Sequence, residues 1–368
     1  MLDIDGAVEA TKPDEGVAAH YGDPAREQRA MAEGTVLVDR SNRGVVKITG
    51  PDRLGWLHNL TSQHLERLAP GTTTQALILN QQGHIEHHLT LTDDGTATWA
   101  HVEPGTTAAL ADYLNSMRFM LRVEVADLTA DIAVLTLAGP ISPDFARTIP
   151  GDSAPFPPEE RGVEASMTGS FGERDFLVPR ERIAEVAAKL GLPVAGMWAF
   201  EAARIAARVP RPGLDTDHKT LPHEAGFIET AVHLNKGCYR GQETVARIHN
   251  LGHPPRRLVF LDLDGSVDRL PEHGAPLTLA DGTQVGFAGS AARHFELGPI
   301  GLGLVKRSLP VDATLLADGI AAAQEVIVSP DAGANVRVTL RRGDLPPLRE
   351  TTPGMPGVPP PPAGRKLI

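Results

Sequence analysis

Hydrophobic positions fall into short β-branched runs divided by polar, glycine-marked turns and by a few helical stretches. The first predicted helix is bracketed by its punctuation. Asp23 can cap it, Pro24 suits its first turn and Gly34 follows its end. Two β-branched runs, 36–39 and 45–49, come next, and Gly50-Pro51-Asp52 opens a helix to about Leu60. Strand-like runs follow at 75–80, 84–92 and 96–101. Their turns, Gln81-Gln82-Gly83 and Asp93-Asp94-Gly95, carry glycine where a positive φ is wanted. Pro104 starts another helix to about Met117, and 121–126 reads as a strand. Residues 45–127 therefore read β-α-β-β-β-α-β, a ferredoxin-like split βαβ sandwich with one additional strand.

Beyond it, 132–137 is a compact apolar strand and 152–160 a Pro-rich segment expected to be an exposed loop. A strand at 174–178 precedes a helix at 181–190. A second helix, 197–208, carries alanines and large apolar residues at helical spacing until Pro210-Arg211-Pro212-Gly213 ends it. A long loop, 214–225, leads to a helix over 242–249. After Pro254-Pro255 the pattern becomes short β-branched runs split by Asp281-Gly282, predicting a small all-β barrel or sandwich over 256–340. The tail 343–368 is proline-rich and expected to be disordered.

Composition narrows the function classes. A formal charge of −11 disfavours coating a duplex or a membrane surface, and aromatics at 4% argue against stacking platforms for single strands. No apolar run approaches a membrane span, the acidic start lacks a secretory pattern, and one cysteine cannot form an intrachain disulfide. A cytoplasmic monomer with no direct membrane or nucleic-acid partner is expected.

That cysteine stands in Lys236-Gly237-Cys238-Tyr239-Arg240-Gly241-Gln242-Glu243, between cations and glycines rather than in an apolar run. A thiol at a helix N-terminus beside Lys236 and Arg240 is expected to have a lowered pKa. The plain alternative is a small residue buried in a tight turn. Two further polar groups stand out. His84, Glu86 and His88 share one face of a strand while His87 points away, and Asp215, Asp217, His218, His223 and Glu224 crowd a proline-bounded loop. Both read better as cavity lining or loop chemistry than as ligand sets, and no resident metal is assigned. Trp56 and Trp198 read as core at helical spacing.

The string Lys236 to Arg247, KGCYRGQETVAR, resembles the signature of the YgfZ-type folate-binding proteins, relatives of the glycine-cleavage aminomethyltransferase. Val46-Lys47-Ile48-Thr49-Gly50-Pro51-Asp52, His58-Asn59-Leu60-Thr61-Ser62 and Leu77-Ile78-Leu79-Asn80-Gln81-Gln82-Gly83 resemble the first third of that superfamily. Phe200-Glu201-Ala202-Ala203-Arg204 resembles its central helix. Gly213-Leu214-Asp215-Thr216-Asp217-His218, with Leu221-Pro222-His223-Glu224, looks like the actinobacterial branch. The resemblance covers roughly residues 20–340. It implies an α+β, three-domain aminomethyltransferase-like ring around a funnel that binds tetrahydrofolate. The domains would be a discontinuous one, 20–44 and 128–253, a ferredoxin-like insertion, 45–127, and a C-terminal β-barrel, 254–342, with 343–368 as tail. As the acting group it implies Cys238, with Lys236 and Glu243 beside it: Lys236 and Arg240 would stabilise the thiolate, and Glu243 would orient Lys236. As folate contacts it implies Tyr239, Gly241, Gln242, Arg247, Asn80, His88, Trp198 and Arg204. The implied role is an accessory to iron–sulfur cluster assembly or repair, and to the tRNA modification that depends on it. Iron–sulfur enzymes or their assembly machinery would be the partners.

Three departures argue against aminomethyl transfer itself. The transferases carry an aspartate pair where this chain has His87 and His88, and an imidazole cannot balance a cationic iminium as a carboxylate does. Ala206 replaces the glutamate of their Arg-x-Glu-Ala-Gly helix, which grips the pterin. The loss is about 1.5–3 kcal/mol if nothing replaces it. Gln242 stands where they tend to have arginine. A folate-dependent one-carbon transferase with an altered substrate is the alternative.

Overall fold

The structure is a computed structural model that describes residues 1–141, 165–169 and 172–333. The segment 152–160 and the tail 343–368 lie outside the described residues. The chain opens with an antiparallel ribbon, β1 (Val8–Glu9) and β2 (Ala18–His20). Helix α1 (Pro24–Glu33) has the expected cap: the Asp23 carboxylate accepts the N–H groups of Ala25 and Arg26 at 3.1 and 3.0 Å. Strand β3 (Val36–Asp39) then leads into the inserted layer.

That layer comprises β4 (Gly44–Thr49), α2 (Arg53–Leu60), β5 (Thr73–Leu79), β6 (Ile85–Asp93), β7 (Ala97–Val102), α3 (Thr107–Ser116) and β8 (Glu124–Asp127). Its antiparallel sheet runs β5-β6-β7-β4-β8, so the predicted element order is the one observed, with β5 as the additional edge strand. The last strand starts at Glu124 rather than 121, because the chain is still turning there. Gly83 and Gly95 take φ of 83° and 95° in the two hairpin turns. Alternation along β6 sorts its side chains. Leu89 and Leu91 pack with Trp56, Leu57, Leu110 and Leu114 beneath the two helices, and Glu86, His88 and Thr90 take the other face.

The chain returns through β9 (Ile132–Ala138), β10 (Ala165–Thr168), β11 (Arg174–Pro179), α4 (Ile183–Leu190), β12 (Val194–Ala195) and α5 (Met197–Ala206). These build a sheet ordered β10-β11-β9-β3-β12, in which β3, from before the insertion, pairs with β9 after it. Helix α5 stops at Ala206 instead of 208. Arg208 adopts a left-handed φ of 62° and its N–H donates to Ile205 O, two residues before Pro210. Helices α6 (Ile228–Ala231) and α7 (Gln242–Leu251) follow.

The all-β region is a barrel rather than a sandwich. Strands β13 (Arg256–Leu263), β14 (Pro276–Thr278), β15 (Gln284–His294), β16 (Gly298–Lys306), β17 (Leu315–Ala317) and β18 (Ile320–Val326) close in the order β13-β16-β15-β14-β17-β18. Leu277, Val285, Val305 and Leu315 fill it, while Phe260, Ile300 and Leu302 pack outward on Ala202 and Ile205 of α5. The described residues cluster as one unit. Among the described residues no helix is long and apolar enough to cross a membrane.

Candidate functional site

The inner face of β6, helix α3, the 212–218 loop and the barrel together line a half-open cavity of about 930 Å³. Its wall includes Asn80, Glu86, His88, Tyr113, Asp217 and His273. The His273 Nε2–H donates to Leu214 O at 2.9 Å, which ties the barrel to the loop. Of the expected folate contacts, Asn80 and His88 lie on this wall. The Asn80 side chain is spent locally: its Oδ1 accepts the N–H groups of Gln82 and His84 at 2.9 and 3.0 Å. His84 therefore sits in the turn beside Asn80, and the expected strand face reduces to Glu86 and His88. His87 lies on the opposite strand face yet also lines the cavity, its ring 6.4 Å from that of Tyr113.

His88 Nε2 lies 3.0 Å from Gln75 Oε1 on β5, an assignment that puts the ring proton on Nε2. Burial pushes its pKa down to about 4, so the imidazole is neutral. Behind it is a second, smaller cavity of about 50 Å³, lined by Arg40, Arg43, His101, Asp175, Glu201 and Arg204. A knot of charges closes that side. Arg211 donates to Asp14 at 2.8 and 2.7 Å and to Glu103 at 2.6 Å, and Arg43 donates to Glu103 and to His101 Nδ1 at 2.5 and 2.8 Å. Burial alone would raise the Glu103 pKa, but Arg211 and Arg43 overcome it and hold the carboxylate well below its ordinary range.

Arg204 belongs to the same knot. Its five N–H donors go to Glu201, Asp215, Val209 O and Ser290 Oγ, so none is left over for a ligand as the sequence suggested. Ala206 packs with Phe260 and Leu302 against the barrel.

The cysteine motif sits where α7 meets the 80–83 turn. Gly241 caps α7 with φ 81°, and a Cβ there would lie 2.5 Å from Asn80 O and 2.9 Å from Gly83 Cα. Only glycine satisfies both the conformation and the approach. Gln242 Nε2 donates back to Lys236 O at 3.2 Å, closing the loop. The expected thiolate environment is not what these contacts build. Lys236 is buried, its Nζ donating to the carbonyls of His58 and Thr61, with the Tyr239 ring 4.9 Å below. Burial lowers its pKa to about 8. Arg240 donates to Leu79 O at 2.5 Å, pairs with Glu86 and lies 5.1 Å over Tyr113. Both cations are thus committed to the inserted layer, and Lys236 points to carbonyls instead of to Glu243, which is exposed on α7. Cys238 is free and exposed, three residues ahead of Gly241 and outside the first turn of α7.

The other expected contacts scatter. Tyr239 is buried with Leu77, Phe227 and Val245, and Arg247 is exposed on α7. Trp56 is core as expected, but Trp198 is 55% exposed, its ring 4.9 Å from His20. Helical spacing misread it, because α5 buries its face on the opposite side, through Met197, Ala199 and Phe200. In the acidic loop, Asp217 and Glu224 accept Arg256 of β13, so a salt-bridge seat takes the place of a cation site. Sequence reasoning missed Glu103, Tyr113 and His273; they come from three separate elements, and no local pattern marks them.

A closed six-strand barrel joined to the two sheets, with mixed α/β content, gives the chain an aminomethyltransferase-like fold. Residues 18–156 match the family description GCVT N-terminal domain. The structure matches the glycine cleavage system aminomethyltransferase T from Bartonella henselae with a TM-score of 0.73 and 20% identity, over 88% of this chain and 94% of that one. The aminomethyltransferase of Symbiobacterium thermophilum is 28% identical over 286 residues, 70% of this chain and 75% of the relative. A chloroplastic protein of Arabidopsis thaliana with a provisional transferase name is 28% identical over 313 residues, 78% of this chain and 70% of its own.

Proposed function

We propose that this chain binds tetrahydrofolate in the central cavity without catalysing aminomethyl transfer, and supports iron–sulfur cluster assembly or repair, with the tRNA modification that depends on it, through the Cys238 loop. One observation carries the reading. Each carboxylate on the cavity wall is already paired: Glu86 with Arg240, Glu103 with Arg43 and Arg211, Asp217 with Arg256. Burial lowers the pKa of both histidines that stand where the transferases carry their aspartate pair, His87 and His88, which favours neutral rings. Among the described residues, a cationic reacting nitrogen finds no carboxylate on that wall without an arginine partner, whereas a neutral pterin has room and hydrogen-bonding edges. An exposed thiol can act as a transient ligand or persulfide carrier for a partner, although one thiolate cannot hold a cluster by itself. Iron–sulfur enzymes or their assembly machinery are the proposed partners.

The test has two parts. Calorimetric titration of tetrahydrofolate should saturate at one per chain, and absence of binding at millimolar ligand would remove folate from the proposal. Cys238→Ala should fold and bind folate normally yet fail to restore iron–sulfur enzyme activity in a deletion strain. Full restoration would remove the thiol. A second reading, one-carbon transfer to an altered substrate, is favoured by the relatives named aminomethyltransferase. Turnover of methylene-tetrahydrofolate with an amine or thiol acceptor would establish it.

A further inference from the structure

Next to the motif loop, imidazoles and a carboxylate converge at the C-terminal end of α2. His58 lies in its last turn, and His64 and Glu66 lie in the connection to β5. One ligand-capable atom from each of these three falls within 4.8 Å of the others. The His58 and His64 rings meet edge to face at 4.7 Å, and His233 stands 5.3 Å from His64, held by its N–H donating to Ser62 O at 2.9 Å. We propose that His58, His64 and Glu66 bind a divalent first-row transition-metal ion of the Zn²⁺ class.

The donor set is the first reason. Two imidazoles and a carboxylate suit a borderline ion, whereas Ca²⁺ and Mg²⁺ ask for oxygen alone. Exposure is the second. His58 is buried and accepts Leu65 N–H, His64 is half-buried and Glu66 is exposed, so one anchored ligand faces two with room to turn. Among the described residues, neither the His64 ring nor the Glu66 carboxylate has a hydrogen-bond or ion-pair partner to give up. Tetrahedral zinc needs ligand atoms about 3.3 Å apart, a modest contraction that side-chain rotation of His64 and Glu66 supplies.

Two costs oppose it. His58 Nδ1 accepts Leu65 N–H at 3.3 Å. Ligation through Nδ1 takes that lone pair, and ligation through Nε2 moves the ring proton to Nδ1; either way one long hydrogen bond is lost. Lys236 brings a positive charge to the His58 carbonyl, and the Glu66 carboxylate offsets it. Gly237 lies beside the ring, where a Cβ would come within 3.9 Å of His58 Nε2. Ligated through Nε2, the ion would sit beside the loop that carries the exposed thiol.

The full chain, stripped of metal with a chelator, would be titrated with Zn²⁺ by calorimetry and with Co²⁺ by visible absorption. One Zn²⁺ per chain and the intense d–d bands of four- or five-coordinate Co²⁺ are expected. His64→Ala and Glu66→Ala should each weaken Zn²⁺ binding by about tenfold or more. Their metal-free melting curves should stay unchanged, because both side chains lie outside the core. His58→Ala removes a buried ring, so the two loop variants carry the decision. No binding with Zn²⁺ in large excess, or undiminished affinity in both variants, would overturn the assignment.

Discussion

His223 is buried, and neither of its ring nitrogens has a hydrogen-bond partner among the described residues. Burial pushes its pKa down to about 4, and the same cause takes His88 and His101 to about 4. Unfolded histidines titrate at about pH 6.5, so between there and about pH 4 the unfolded chain holds more protons than the folded one. Stability is then full above the upper limit and drains away as pH falls through the window. His101 also has partners suited to its neutral form, since Arg43 donates to Nδ1 and Nε2 lies 2.9 Å from Asp175 Oδ2. Urea midpoints should fall steeply from pH 6.5 to 4. His223→Leu should flatten that fall by about one proton's slope and be neutral or stabilising at pH 7, because it removes two unpaired polar atoms. An unchanged slope would mean that His223 is not held neutral by the fold. At this scale the sequence was legible in kind but not in setting. Cys238 was conspicuous from its neighbours, yet the fate of Lys236 and Arg240 depends on His58, Thr61, Leu79 and Glu86, all more than a hundred residues away.

Elements were the most legible level, because their signals are local. The Asp23 cap, the hairpin glycines and the β-α-β-β-β-α-β order all follow from short-range chemistry, and all appear in the structure. The misses fall at ends and faces: α5 stops early at a left-handed Arg208, and Trp198 lies on the exposed side of its helix. The join between α7 and the 80–83 turn is where two elements fix one another, and Gly241 can be tested there. Gly241→Ala must bear a left-handed φ, worth about 1–2 kcal/mol, and must also displace Asn80 O from 2.5 Å. Gly71→Ala is the control, since its φ is 78° but nothing lies within 4 Å of its Cβ position. Denaturant titration should therefore show a clearly larger loss for Gly241→Ala than for Gly71→Ala. Equal losses would mean that the turn moves aside freely and does not brace the motif.

For the whole molecule, nothing in the local pattern announced how the layers are tied. Asp14 comes from the N-terminal segment, Glu103 from the inserted layer, Glu201 and Arg204 from α5, Arg211 and Asp215 from the following loop, and Ser290 from the barrel. Hydrogen bonds and ion pairs join all of them through Arg204 and Arg211. A network of this kind contributes through what its disruption exposes, because each buried arginine left short of a carboxylate keeps its desolvation cost without the matching attraction. Glu103 is the sharpest place to cut, as it accepts both Arg43 and Arg211. Glu103→Gln retains the shape and removes the charge, and should destabilise the protein by about 3–5 kcal/mol. Calorimetry should show one transition moved to lower temperature, because the knot joins the inserted layer, α5 and the barrel into a single cooperative unit. Two separated transitions in the wild type would show that the layers unfold independently. A loss below about 1 kcal/mol in the variant would show instead that Asp14 and Glu201 are enough to hold Arg211, and His101 enough to hold Arg43.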